Sequence, residues 1–303
     1  MFSYCNAGFY LAGRVIEVLT GLTYESAIDQ LILKPLRLAR SFFSANDVIT
    51  RQFAVGHTIA ADGAKPVHRW SPPRAANPIV GLASTIDDML EFAAFHLGTG
   101  NSAGGELVLS REGLRQLLSP STDAATGLTH THTWSADAPS ACTVLSAGGN
   151  MPQQVSRIAL VPDKDFALVV LANSTAGGAL AEPIQRRALQ EFCGIEADGV
   201  ERAPASDELK RQACGKFVNP TSDVVIDEHD GSLFAQVTMK RGGFPYETVQ
   251  QIVEWPRVPL SLYASGRFAI LPETKLERWG RIVRSQGDMI DHVLVHGRSH
   301  RRV

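Results

Sequence analysis

Apolar positions recur at helical spacing from the start of the chain. Leu11, Val15, Val18, Leu19 and Leu22 fall on one side and Arg14 and Glu17 on the other, which predicts an amphipathic helix already under way by residue 9. Tyr4-Cys5-Asn6 forms a short turn leading into it. Past Gly21-Leu22, Thr23 can cap a second helix from Tyr24 to about Leu33, which Pro35 ends. A looser stretch runs through Pro72-Pro73. Thr85 is then a candidate N-cap, with Asp87 and Asp88 in the first turn, where the positive end of the helix favours them. That helix runs to Gly98-Thr99-Gly100, and a shorter one begins at Ser110 and stops at Ser119-Pro120. Residues 1–140 therefore read as mostly helical with long connections.

The period changes near residue 140. Cys142–Ser146, Val155–Val161 and Phe166–Ala172 read as strands, the last two joined by the tight Pro162–Asp165 turn of an antiparallel hairpin. A helix from about Leu180 to Phe192 closes this region, with Gly194 as its stop. Residues 196–207 are polar, carry Pro and Gly, and have no period, as expected of a linker. From about 208 the pattern is short strands between turn residues: Val224–Asp227, Leu233–Met239, Tyr246–Val249, Leu260–Tyr263, Arg267–Leu271, Arg281–Arg284 and Met289–Val295. That density predicts a small antiparallel barrel or sandwich.

A chain of 303 residues has room for both regions as domains, and 44% apolar with 20% charged residues is an ordinary globular balance. A formal net charge of −2 offers no electrostatic reason for nucleic acid or an anionic membrane as partner. The best apolar run, Phe166–Ala172, is of buried-strand length, so no membrane span is expected. No basic and apolar leader opens the chain, so nothing in it signals export; compartment and oligomeric state stay open. Cys5, Cys142, Cys193 and Cys214 are scattered, as buried reduced thiols would be. His130 and His132 would share a face on a strand, but no third ligand is spaced near them, so no metal is expected. Gly8 and Gly13 lack the preceding strand and following Lys-Ser/Thr of a phosphate loop, so no nucleotide cofactor is expected either.

Four blocks, in order, carry a resemblance. They are Tyr4-Cys5-Asn6 with the Gly8–Glu17 helix behind it; Tyr24 through Pro35-Leu36-Arg37-Leu38; Gly81–Met89; and Ser146–Pro152 with the hairpin ending Leu171-Ala172-Asn173-Ser174. Over roughly residues 1–193 the chain resembles the serine β-lactamase/penicillin-binding-protein superfamily, in its class C-like branch of esterases and D-aminopeptidases. The resemblance implies an α/β (α+β) fold, an antiparallel sheet with a helical subdomain over residues 1–195, followed after the linker by a lipocalin-like small β-barrel over 208–303. Gly215-Lys216-Phe217 and the closing Gly297–Arg302 fit such barrels, and the basic tail Arg298, His300, Arg301 and Arg302 is expected to be a solvated end.

In that family a Ser-x-x-Lys helix precedes Tyr-x-Asn; the serine is acylated and the lysine takes its proton. No serine in this sequence has a lysine three residues on, so the chain resembles a member truncated before Tyr-x-Asn, with no nucleophile of its own. A three-stranded remnant over about 142–148, 155–161 and 166–172 is then expected, exposing an unpaired apolar edge at Phe166–Ala172 and leaving the isolated chain marginally stable. Tyr4 matches the family's proton-relaying tyrosine, and a phenol needs positive charge nearby to serve near neutral pH. Asn6 matches the amide that lines the site. Cys5 is the variable middle residue and has no base close in sequence to activate it.

The third motif departs from the pattern. Anchored on Pro152, Ala147 stands where the family has His or Lys; a shift by one puts Ser146 there. Gly148 and Gly149 remain, able to lie close to a substrate, and the N–H of Gly149 or Asn150 is the implied oxyanion donor. Gln153 replaces the Gly that usually follows the Pro. The implied activity is acyl transfer to or hydrolysis of an ester, amide or D-amino-acid peptide, a small-molecule or peptide substrate; the alternative is a non-catalytic ligand-binding protein that keeps the cleft.

Overall fold

The computed structural model describes residues 3–60, 62–68, 73–123, 129–137, 142–151, 153–174, 176–196, 202–240, 253–271, 278–284, 289–295 and 297–303. The chain divides into two compact units, one of Asn6–Ser121 with His130–Asp198, the other of Met1–Cys5, Thr122–Thr129 and Gly199–Val303.

The helix starts of the first unit follow their caps. Thr23 accepts from the Ser26 N–H, Thr85 from Asp88 and Ser110 from Gly113, opening helices at Tyr24, Ile86 and Arg111. The second of the expected helices changes winding part-way: Tyr24–Ile28 is α-helical and Asp29–Leu33 is a π-helical turn. At the far end Gly177–Cys193 stops at Gly194, whose φ of 67° is the left-handed conformation glycine adopts freely.

Asn6–Thr20 is a helix as the spacing predicts, but only Gly13 on it is buried, in close approach to the Pro78 ring. Its apolar stripe faces outward: Leu11, Val15, Val18 and Leu19 are 46–79% exposed. The period shows which face favours burial, not whether anything covers it.

The sheet holds six strands in the order Pro120–Asp123, Thr129–Thr131, Ser135–Asp137, Val144–Met151, Gln154–Val161, Phe166–Ala172. The expected three-stranded remnant is thus extended by three short strands too brief to show a period. Phe166–Ala172 is the last strand of the order, with Leu171 exposed. A further hairpin, His57–Ala60 with Gly63–Pro66, is exposed nearly throughout and has no apolar alternation to announce it. Leu145, Ile158 and Leu160 pack with Ala93 and Trp134 on one face, and Val144, Ala159 and Val161 with Leu189 and Cys193 on the other. The sheet is therefore held between the Ile86–Leu97 and Gly177–Cys193 helices.

Asp88 ties the 40–41 segment to the first of these helices. Its carboxylate, buried, accepts from the Arg40 N–H at 2.8 Å and the Ser41 hydroxyl at 2.7 Å. Asp88→Ala leaves the Arg40 N–H without its acceptor and the Ser41 hydroxyl with Ser84 Oγ alone, 2.8 Å away. It is expected to destabilise the unit by about 2–3 kcal/mol, read as a lower urea midpoint at unchanged m. An unchanged midpoint would mean that water replaces the carboxylate at no net loss.

The second unit is a closed eight-stranded antiparallel barrel. Gly215–Val218, Arg298–Arg302, His292–Val295, Arg278–Val283, Arg267–Ile270, Val258–Leu262, Ser232–Met239 and Ser222–His229 pair in that order, and the last returns to the first. Phe217, Val224, Ile226, Phe268 and Val293 fill the interior. A strand at Tyr246–Val249 falls outside the described residues. Just before the barrel, Ser206 caps a helix over Asp207–Ala213, and Ala205, at the end of the expected linker, is buried in the barrel core.

The solvated-tail expectation is wrong. Arg298–Arg302 is a strand that closes the ring, paired with His292–Val295 on one side and Gly215–Val218 on the other. The side chains of His300 and Arg302 find their partners inside, while Arg301 is exposed. His300 is buried; Nδ1 meets the Arg298 carbonyl at 3.1 Å, so it carries the proton, and Nε2 accepts from Asn219 Nδ2 at 2.9 Å. Arg302 donates to the carbonyls of Ile290, Cys214 and Gln212 and stacks on Phe217.

Candidate functional site

The third-motif residues lie inside the Val144–Met151 strand, in unbroken register with the next: Gly148 opposite Arg157, Gly149 opposite Ser156, Asn150 opposite Val155. On the other edge, Ser135–Asp137 reaches only as far as Ser146. From Ala147 onward no described strand pairs on that side, so main-chain groups of Ala147–Asn150 are presented along an open edge. All four residues are exposed.

Alternation separates the two registers left open by the sequence. Ala147 and Gly149 share the face of Leu145, toward the Ile86–Leu97 helix; Ser146, Gly148 and Asn150 share that of Val144, toward Gly177–Cys193. An imidazole at 147 or at 146 would thus serve opposite faces of the sheet. On the 147/149 face the exposed Ser156 sits directly across from Gly149, and a Cβ at Gly149 would come within 2.6 Å of its hydroxyl.

The departure at Gln153 has a visible consequence. Its φ is +70°, in the left-handed region glycine enters without strain, so a side chain here carries a backbone penalty of about 1 kcal/mol. The Ala54–His57 segment braces this turn: Gln154 Nε2 donates to the Ala54 carbonyl at 3.1 Å, and Gly56 lies so near Gln153 that a Cβ on it would sit 2.7 Å from the Gln153 Cβ. The next residue, His57, receives Asn173 Nδ2 at its Nδ1, 3.3 Å away, and donates its N–H to the Asn173 carbonyl at 2.8 Å. Neither Ser156 nor His57 was singled out by sequence: Ser156 is one polar position of the expected Val155–Val161 strand, and His57 lies in a stretch without motif or period.

Tyr4 and Asn6 fall on either side of the unit boundary. Asn6 is the half-buried first residue of the Asn6–Thr20 helix. Tyr4 belongs with the barrel: its N–H donates to the Gly297 carbonyl at 2.9 Å, and the Arg298 guanidinium lies 5.5 Å from its ring centroid. Burial pushes its phenol above the usual range, while Arg298 pulls the other way. Neighbouring Cys5 is an exposed free thiol; of the other cysteines, Cys193 is buried, and none is paired. His132 lies just past the Thr129–Thr131 strand and meets the Gln116 carbonyl at 3.1 Å. Among the described residues no group of three His, Cys, Asp or Glu is placed to hold a metal ion. No helix among them is long and apolar enough to cross a membrane.

Penicillin-binding protein 4 of Amycolatopsis lactamdurans is 28% identical over 213 residues, 67% of this chain and 55% of that protein. The chain thus spans about half the length of this relative. Among solved structures, SurE matches with a TM-score of 0.73 at 22% identity, over 100% of this chain and 68% of its own; SurE with D-Leu matches at 0.70 and 21%. D-amino acid amidase from Ochrobactrum anthropi, complexed with L-phenylalanine amide, matches at 0.51 and 21%, over 63% of this chain and 58% of its own. At such identities these likenesses are of fold. The family model described as Beta-lactamase covers residues 1–191, and with the antiparallel sheet and its flanking helices this places the chain in the Beta-lactamase family.

Proposed function

We propose that this chain carries part of the acyl-transfer machinery of a serine hydrolase acting on an ester, an amide or a D-amino-acid peptide. The observation that carries the reading is the open, glycine-bearing edge at Ala147–Asn150 in a chain of the Beta-lactamase family. An extended substrate can pair with such an edge through main-chain hydrogen bonds. The absence of side chains at Gly148 and Gly149 allows the acyl group to approach closely, and the N–H of Gly149 or Asn150 is one donor to the developing oxyanion. Tyr4 relays the proton to and from the leaving group, and Asn6 positions the substrate. The D-Leu held by SurE and the D-amino acid amidase likeness support a D-configured residue in the substrate.

Because the sequence holds no Ser-x-x-Lys, the 303-residue chain by itself forms no acyl-enzyme. Incubated with a fluorophosphonate or a labelled penicillin, it is expected to keep its intact mass. A stoichiometric adduct on one serine would overturn this assignment of the nucleophile.

A second reading, a binding protein that keeps the cleft without turnover, is favoured by one observation: Ala147 offers no ionisable group, and its cross-strand neighbour is Ile158. Saturable binding of a D-Leu-containing dipeptide, with no hydrolysis after a Ser-x-x-Lys segment is supplied, would select it.

A further inference from the structure

We propose that Arg298 is a positioning residue for Tyr4: the last hairpin of the barrel grips the Ser3–Cys5 segment and holds a guanidinium against the phenol ring. The proposal rests on the reading of Tyr4 as the proton relay and adds to it a part played by the C-terminal domain.

Two hydrogen bonds make the grip, one on each side of Arg298, the first between main chains and the second from a main-chain N–H to a side-chain hydroxyl. The Tyr4 N–H donates to the Gly297 carbonyl at 2.9 Å, and the Ser299 N–H donates to the Ser3 hydroxyl at 3.2 Å. Arg298 itself is opposite Val295 in the hairpin. Alternation puts its side chain on the same face of the strand as His300 and Arg302, the face that packs inward. Arg298 is therefore held by the strand, half-buried, with its guanidinium carbon 5.5 Å from the Tyr4 ring centroid, inside the roughly 6 Å reach of a cation–π contact.

The chemistry follows from this placement. A phenol that gives and takes a proton needs its anion stabilised, and partial burial of Tyr4 does the opposite. Among the described residues, Arg298 favours the phenolate and Cys5, whose thiolate would disfavour it, acts against it. A fixed guanidinium opposes the burial penalty. Arginine stays charged across the whole working range, so this support does not vary with pH.

The test uses the 303-residue chain with 13Cζ-labelled tyrosine, in which Tyr4 is identified by the signal lost in Tyr4→Phe. Arg298→Gln is expected to move the Tyr4 titration to higher pH by about half a unit or more, Arg298→Lys to restore most of it, and Arg301→Gln, on the exposed face of the same strand, to leave it in place. A Tyr4 midpoint unmoved in Arg298→Gln overturns the proposal. So does a neutral-pH spectrum in which the Arg298 side-chain protons carry no ring-current shift that Tyr4→Leu removes. These readouts follow the phenol alone. If they succeed while Tyr4→Phe leaves acyl transfer intact in a nucleophile-bearing form, the relay reading fails and the contact stands as structure.

Discussion

Arg302→Met is expected to lower the unfolding free energy of the barrel by roughly 3–5 kcal/mol. The guanidinium ties the Ile290 segment to the Gln212–Cys214 segment at the end of the Asp207–Ala213 helix. Its Nε–H donates to the Ile290 carbonyl at 2.6 Å, one terminal nitrogen to Cys214 at 2.8 Å and the other to Gln212, while its plane stacks on the fully buried Phe217 ring, 4.7 Å from the centroid. Methionine keeps the stem and its packing but supplies no donor, so carbonyls withdrawn from water lose their partners. The check is the denaturant midpoint of the barrel transition, followed through near-ultraviolet signals. Arg301→Met, on the exposed side of the same strand, should stay within about 0.5 kcal/mol. If Arg302→Met also stays within that range, the strand is held by its ladder alone.

That strand also shows what sequence reasoning could not see. Arg-Ser-His-Arg-Arg has no apolar alternation, yet His300 and Arg302 point inward because each finds backbone or amide partners that replace water. Hydrophobic period detects burial only where burial is apolar. Where it is, the elements were legible: Ser232–Met239 and Arg267–Ile270 lie within a residue of their expected bounds, and the caps at Thr23, Thr85 and Ser110 hold. The hairpin of His57–Ala60 with Gly63–Pro66 was invisible because it buries almost nothing.

The candidate site was legible as residues but not as geometry. Tyr4-Cys5-Asn6 and Gly148-Gly149-Asn150 stand out by motif. That Ala147 and Ser146 serve opposite faces follows only from the register with Gln154–Val161, and the partnership of Tyr4 with Arg298 joins positions at the two ends of the sequence. Gln153 is a different case. A departure noticed in sequence proves to sit at φ +70°, which gives a physical reason for glycine at that position.

In a chimera that places a Ser-x-x-Lys-bearing segment ahead of Ser3, Tyr4→Phe is expected to lower kcat for acyl transfer by about 10²–10⁴-fold, the usual loss on removing a general acid–base group. KM should change much less, because phenylalanine keeps the ring and its contact with Arg298. Asn6→Ala, which removes a positioning amide and no proton, should weaken both parameters moderately. The imidazole scan then tests the third motif. Ala147→His should raise the rate if the reacting groups lie on the face of the Ile86–Leu97 helix, and Ser146→His if they lie on the face of Gly177–Cys193. The sign of that comparison identifies the working face of the sheet. A Tyr4→Phe chimera as fast as its parent would return Tyr4 to a packing role, and the proton would have to travel through another group on the working face; if that is the face of the Ile86–Leu97 helix, the exposed Ser156 hydroxyl beside Gly149 would be the next to replace.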